Sequence, residues 1–372
     1  MRLLLLLLHL LPLLSLGQTR IINAHYLNPA NGQLSPGQTI VVKPGGKART
    51  IDARGAFVMP ALYDMHVHAP DTLEAAFFAL VQQAGIHQVR IMKASPRQLP
   101  LLRPQAGGVQ VDLAYNVYSS HSTPPDSIQP LVAGLRRQGY DFIKCFSVPR
   151  LGWFDTLMQA ANALNMRVCG HALANVPALH ALQSGYKSIE HLGYLDKASP
   201  AGLDSLLQQA RASGTYLCPT LDWSMMVYHT LPRDSALLRA GTAEGLRVYQ
   251  AIWEKAYAET EQQIAANKAR YDAYFRDQLA LKINILRKAR ALGIPILAGS
   301  DAEEPYQTPG CSLVEELKWI RQAGFTNLEL LQMVTLNPMR YYGHTQPQAY
   351  ILLAKNPLED IGHLSTVQQL VR

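Results

Sequence analysis

The sequence predicts an α/β protein, a (β/α)8 TIM barrel carrying a small β-sandwich domain formed by the N- and C-terminal segments. Three observations predict it. From about residue 56 onward, short apolar runs alternate with amphipathic stretches eight times, as in a parallel sheet covered by helices. The runs end in polar, chemistry-bearing residues, and barrel active sites gather at that end of the strands. Both ends of the chain carry short β-branched runs broken by turn residues. A length of 372 residues suits one large barrel with an appendage.

The elements follow in order. Met1 to Gln18 reads MRLLLLLLHLLPLLSLGQ, one Arg ahead of a Leu run, with small Ser15 and Gly17 before a cut at Gln18. The run is too short to persist as a spanning helix, so a cleaved signal peptide over 1–17 is expected. RIINAHYL, NPANGQLSPGQ and TIVVKPGG then alternate β-branched runs with Asn-Gly and Pro-Gly turns, so 18–55 reads as hairpin and the N-terminal part of the sandwich. The barrel is assigned to 56–343. Its strands are read in AFVMPALYDMHVH, HQVRIMK, VQVDLAYNVYS, YDFIKCFSV, MRVCGH, KSIEHL, TYLCPTL and IPILAGSD. Helices are expected near 72–85, 96–104, 126–138, 154–164, 175–184 and 201–213, then near 312–323 and 326–336. Residues 233–291, rich in Ala, Arg, Glu, Gln and Lys, read as a helical insert between strands seven and eight. AYILLAKNPLEDI and LSTVQQLV return to strand texture, so 344–372 is assigned to the C-terminal part of the sandwich.

Composition narrows the function classes. With 48% apolar and 16% charged residues the chain is neither disordered, nor a coiled coil, nor collagen-like. Its net charge of +7 is scattered, without a basic block that would mark a nucleic-acid partner. The four Cys stand at 145, 169, 218 and 311 without CxxC spacing, so they read as buried thiols. No GxSxG elbow and no phosphate-cradling Gly motif occurs. No later run is apolar enough to span a membrane. The expectation is an exported protein, periplasmic or secreted, without a membrane partner once the leader is cut.

The chemistry concentrates at the strand ends. Strand one ends in His66-Val67-His68, and residues two apart share a strand face. Strand four carries Lys144, strand five ends in His171, strand six in His191 and strand eight in Asp301. Imidazole nitrogens with a carboxylate suit zinc or a related divalent ion. Singly, each has an ordinary explanation: a strand His is usually a satisfied core residue, a Lys snorkels to water, and an Asp after Gly-Ser caps a turn. Together, at five separate strand ends, they make coincidence a poor account.

PALYDMHVH resembles the strand-one signature of the amidohydrolase superfamily, usually PG-x-x-D-x-H-x-H. DFIK, GHA, SIEH and GSDA follow in the family's order, and AKNPLEDI resembles its closing segment. The set is most similar to the imidazolonepropionase-like and prolidase-like branch and covers about Arg20 to Arg372. The resemblance implies two divalent metal ions, zinc the expected metal. His66, His68 and Asp301 would hold one, His171 and His191 the other, with a carboxylated Lys144 bridging. It implies hydrolysis of an amide, peptide or cyclic amide C–N bond by attack of a metal-bridging hydroxide, with Asp301 passing the proton to the leaving nitrogen. His121 in SSHSTP matches a loop His that polarises the scissile carbonyl in this branch. Tyr228, after strand seven, is expected to touch substrate. A small-molecule amide or dipeptide is therefore the expected partner.

The chain departs from the pattern in three places. Ala61 replaces the usual Gly, the segment after Asn337-Pro338 is shortened, and Leu173 stands where a second His often follows GHA. Two other readings keep the barrel: a mononuclear site with Lys144 uncarboxylated, and a non-catalytic exported protein that captures a metal or ligand. Lys144 together with Asp301 argues against the latter, because a retired site has no use for a bridge or a proton shuttle. Glu303 and Glu304 read either as attraction for a cationic substrate or as helix-capping acids.

Overall fold

A computed structural model describes residues 18–42, 49–228, 267–302 and 307–372. The expected leader, most of the expected insert (229–266) and Glu303 and Glu304 lie outside the described residues.

Strands β1 (Thr19–Leu27) and β2 (Leu34–Val41) form an antiparallel hairpin about a turn closed by the Asn28 N–H on the Gln33 carbonyl. The Pro-Gly pair that the sequence assigns to a turn lies inside β2. That strand is the edge of its sheet, where a missing proline N–H removes no ladder bond, and the register shifts opposite it. Strands β3 (Arg49–Asp52) and β4 (Phe57–Pro60) both pair with β1 in parallel.

Seven parallel strands then follow in strict spatial order: β5 (Leu62–Val67), β6 (Ile86–Ile91), β7 (Gln110–Val117), β8 (Phe142–Cys145), β9 (Arg167–Gly170), β10 (Ser188–Glu190) and β11 (Tyr216–Cys218). Between them run α1 (Glu74–Gln83), α2 (Leu99–Gln105), α3 (Ile128–Gln138), α4 (Leu151–Ala163), α5 (Ala178–Gln183) and α6 (Pro200–Ala212). Helix α6 shows why these segments start where they do: the Ser199 hydroxyl accepts the Gly202 N–H and Pro200 fills the first turn. After β11 come α7 (Leu221–Tyr228) and α8 (Lys268–Ala291), the latter being the described end of the expected insert.

The eighth strand is the irregular one. Residues 294–299 make a single parallel bridge, Leu217 with Ile296, instead of a regular ladder. They still close the barrel by hydrogen bonds on both sides: Leu297 N–H to the Leu217 carbonyl at 2.9 Å, and Met65 N–H to the Ala298 carbonyl at 3.0 Å. The chain continues through α9 (Cys311–Arg321), α10 (Asn327–Met333) and α11 (Leu336–Tyr342). Strands β12 (Tyr350–Leu353) and β13 (Val367–Val371) return to the first sheet, whose order is β13-β12-β4-β1-β2 with β3 on β1. One small sheet is thus drawn from both ends of the chain, around Ile21, Ala24, Val42, Val58, Leu352 and Val371. Cys145, Cys169 and Cys218 are buried free thiols, as expected, whereas Cys311 is free but only half-buried. Among the described residues no helix is long and apolar enough to cross a membrane.

Candidate active site

The residues at the strand ends meet because the backbone is forced there. At Gly170, φ is +141°, and a Cβ would fall 2.2 Å from the Cys145 carbonyl oxygen, so only glycine permits the turn that aims His171 inward. At Gly299 a Cβ would lie 2.4 Å from that of His66. Glycine there lets the last barrel segment approach strand one closely enough to deliver Asp301. His191 and Asp301 themselves adopt left-handed backbone, φ 60° and 52°. Such a conformation costs roughly 1–2 kcal/mol for a residue with a Cβ. Hydrogen bonds hold both in it, His191 N–H to the Cys218 carbonyl at 2.8 Å and Asp301 N–H to the His66 carbonyl at 2.6 Å.

Six of the expected residues converge. Asp301 Oδ1 lies 3.3 Å from His66 Nε2 and 3.2 Å from His68 Nε2, and its Oδ2 lies 3.5 Å from His191 Nδ1. His191 and His171 face each other Nε2 to Nε2 at 3.1 Å. The Lys144 amine stands 3.1 Å from His66 Nε2 and 4.5 Å from the centre of the Phe146 ring. Burial pushes the Asp301 carboxyl up, but His66, His68 and His191 outweigh it and hold the group well below the ordinary carboxylate range. Burial pulls His66 down to about 4 and His171 to about 3, and takes His191 well below its ordinary value. It lowers Lys144 as well, against the opposing pull of Asp301 and Glu190.

Residues that the sequence reading did not single out hold these groups in place. Glu190, fully buried on β10, accepts the His66 Nδ1–H at 2.7 Å, which leaves the Nε2 lone pair aimed into the site. Glu190 is itself fixed by Arg90 at 2.9 Å and the Ser188 hydroxyl at 2.5 Å. Arg90, fully buried on β6, also donates to the Met65 carbonyl, Ser188 and the Tyr341 hydroxyl. Asp64 accepts both the N–H and the hydroxyl of Ser300, tying strand one to the turn that carries Asp301. The Thr220 hydroxyl lies 2.6 Å from His191 Nδ1. One signal could have found Arg90: a cation in the middle of HQVRIMK, an otherwise apolar barrel strand, needs a buried partner.

The other expected residues stand apart from this cluster. His121 has Nε2 3.1 Å from the Tyr115 hydroxyl, and Nδ1 3.0 Å from both the N–H and the carbonyl of Tyr118. Rings connect it to the cluster: His121 stacks on Tyr118, Tyr118 on Phe146, and Phe146 lies tilted against His171. Tyr228 closes α7, and its side chain lies outside the described residues. Leu173 is buried, with its carbonyl accepting from the Tyr194 hydroxyl.

The donor set fits a divalent cation. Single ligand atoms of His66, His191 and Asp301 lie within 4.8 Å of one another. An imidazole lone pair facing a carboxylate oxygen is repulsive until a cation joins them, and the carboxylate behind His66 Nδ1 is the usual outer support of a metal-binding histidine. His68, His171 and Lys144 complete the candidate set.

A parallel barrel with such a mouth defines a metal-dependent hydrolase. Residues 57–347 match the family described as the Amidohydrolase family. The chain belongs to the amidohydrolase family. Its fold is similar to bottromycin amidohydrolase, with 19% identity, a TM-score of 0.69, and coverage of 94% of this chain and 84% of the other. It is similar to an Xaa-Pro dipeptidase solved with methionine in the active site (19% identity, TM-score 0.65, coverage 94% and 97%). It is also similar to ochratoxinase from A. niger (16% identity, TM-score 0.65, coverage 96% and 94%). A search of curated protein sequences finds no match.

Proposed function

We propose that the chain cleaves the C–N bond of a small amide, dipeptide or cyclic amide, in the manner of the prolidase-like branch, with two divalent ions held at the barrel mouth. The observation that carries this reading is the Asp301 carboxylate set within 3.5 Å of imidazoles from strands one and six. His66, His68 and Asp301 would hold one ion, His171 and His191 the other, with zinc the expected metal. Similarity to a dipeptidase and to an amidohydrolase supports an amide-type substrate.

When bound, the ions would acidify a water and polarise the amide carbonyl. Asp301, held well below the ordinary carboxylate range, would serve as the group that takes up a proton at its carboxylate and passes it to the departing nitrogen. Lys144, buried with its amine biased toward the uncharged form, could add CO2 and release one proton, and the resulting anionic carbamate would be a further ligand for the ions. Glu190 keeps His66 in one tautomer throughout. His121 and Tyr228 are the proposed substrate contacts of the flanking loops. Export belongs to the same proposal, on the strength of the leader at 1–17, and an exported chain should begin at Gln18 by intact mass.

The test is metal analysis of the zinc-loaded mature chain beside a hydrolysis screen over dipeptides, N-acyl amino acids and cyclic amides. The expected result is two ions per chain with turnover abolished by chelation. Lys144→Ala should lower the metal content, and short carboxylic acids should partly restore activity. One ion per chain with undiminished turnover would leave the mononuclear reading. Full metal content with no turnover across the screen would leave the binding-protein reading.

A further inference from the structure

A cavity of about 270 Å³ opens beside the candidate metal residues. His171 and His191 line it together with Trp223 and Ser224 of α7 and Phe275 and Lys282 of α8. The Trp223 ring lies 5.4 Å from that of His191. The next residue, Ser224, accepts from Lys282 Nζ at 3.0 Å. Two consecutive residues of α7 therefore connect a candidate metal ligand to a lysine delivered by the helix after strand seven.

Lys282 is an unusual wall residue. It is buried, with 7% of its surface exposed, and among the described residues the Ser224 hydroxyl is the one hydrogen-bond acceptor its three donors have. A desolvated ammonium with one neutral partner carries an uncompensated penalty that an arriving anion removes. Burial pulls its amine down from the ordinary value, and Asp196 and Glu316 oppose that pull without forming an ion pair with it. Lys197 shares the lining, so among the described residues two cations stand against the Asp196 carboxylate, since Glu190 is committed to Arg90 and His66. A volume of this size takes an acyl amino acid or a dipeptide and excludes a folded chain.

We propose that Lys282, with Ser224, is a specificity-determining residue that selects substrates bearing a free carboxylate, whose apolar portion lies against Trp223 and Phe275. The inference rests on the amide-hydrolase reading above and gives it a substrate class. A carboxylate held at Lys282 leaves the rest of the molecule in the cavity that His171 and His191 also line, so recognition and chemistry share one cavity. The cation comes from α8, the described part of the expected insert.

The test compares N-acetyl-phenylalanine with its C-terminal carboxamide, by equilibrium titration of the full mature chain and, with zinc loaded, by the kcat/KM of hydrolysis. In the parent the free acid should bind roughly tenfold to a hundredfold more tightly, the fold-change of one charge-assisted hydrogen bond. Lys282→Gln should bring the acid-to-carboxamide ratio toward one, Lys282→Arg should keep it, and Lys282→Glu should reverse it. The ratio is read within each variant, so a general loss of folding does not imitate the result. Equal affinity for the two compounds in the parent, binding of neither, or a ratio unmoved by Lys282→Gln overturns the proposal. A retained binding preference without any turnover leaves Lys282 as a carboxylate-recognising residue and counts against the hydrolase reading alone.

Discussion

At the scale of single residues, the site divides into groups that would touch metal or substrate and groups that fix those groups. Asp301 belongs to the first kind. Asn in its place keeps the shape and one coordinating oxygen but cannot carry a proton. Asp301→Asn should therefore lower kcat by at least about 10², the low end of general acid–base help, with metal content kept and KM little moved. A metal-replete variant within tenfold of the parent would move the proton transfer to another group. Glu190 is of the second kind, and its loss acts twice. Glu190→Gln frees the His66 ring and leaves the Arg90 guanidinium buried without its anion. Metal affinity should fall about 10- to 100-fold, and stability by roughly 3–5 kcal/mol, read by metal titration and urea unfolding. The six converging residues were legible in the sequence because each ends a strand run and a strand run has only one end at the mouth. Glu190 and Arg90 were not, because their pairing joins positions 100 residues apart and depends on which strand faces which across the barrel.

At the scale of elements, the glycines before His171 and Asp301 decide whether the strand ends reach the site at all. Gly170→Ala sets a Cβ against backbone, the carbonyl of Cys145, and backbone cannot swing aside as a side chain can. The expected outcome is separation of β8 from β9 at their ends, loss of the His171 to His191 approach and loss of metal binding, with helical content retained by circular dichroism. Normal metal content in Gly170→Ala would show that the turn tolerates a side chain. The alternation of strands and helices was readable because buried parallel strands are continuous apolar runs and their covering helices are amphipathic. Two elements were not readable at that level. Pro36 and Gly37 carry a turn signature that an edge strand tolerates, and the eighth strand reads as regular in IPILAGSD although the approach of Gly299 to His66 disrupts its ladder.

At the scale of the whole molecule, the end of the barrel opposite the metal residues is covered by the C-terminal part of the chain, and a titrating group sits at that junction. His87, on β6, is buried edge-on to the Tyr63 ring at 4.8 Å, with Arg372 and His344 close enough to act on its charge. Arg372 is anchored there by donating to the Gly107 carbonyl at 2.6 Å. Burial first, then Arg372 and His344, pull His87 down to about 4, so the folded protein holds the neutral ring while the unfolded chain titrates near 6.5. A depressed histidine contributes its full stability above about pH 6.5 and loses it as pH falls toward 4, because protons then favour the unfolded chain. Across that window the loss is roughly 3 kcal/mol. Asp64 and Asp222, both pushed up to about 7 by burial, act in the opposite sense and lose their contribution as pH rises. They cancel when a variant is compared with its parent at the same pH. His87→Phe keeps the edge-on contact with Tyr63 and removes the titration, and the His87 Nε2 has no hydrogen bond among the described residues to forfeit. Between pH 7 and pH 4.5 the parent should therefore lose more stability to urea than His87→Phe does, by an amount on the order of 2–3 kcal/mol. Equal losses in the two proteins would mean that the barrel floor stays shut over a protonated ring, and that the acid sensitivity of the fold lies at the metal mouth instead.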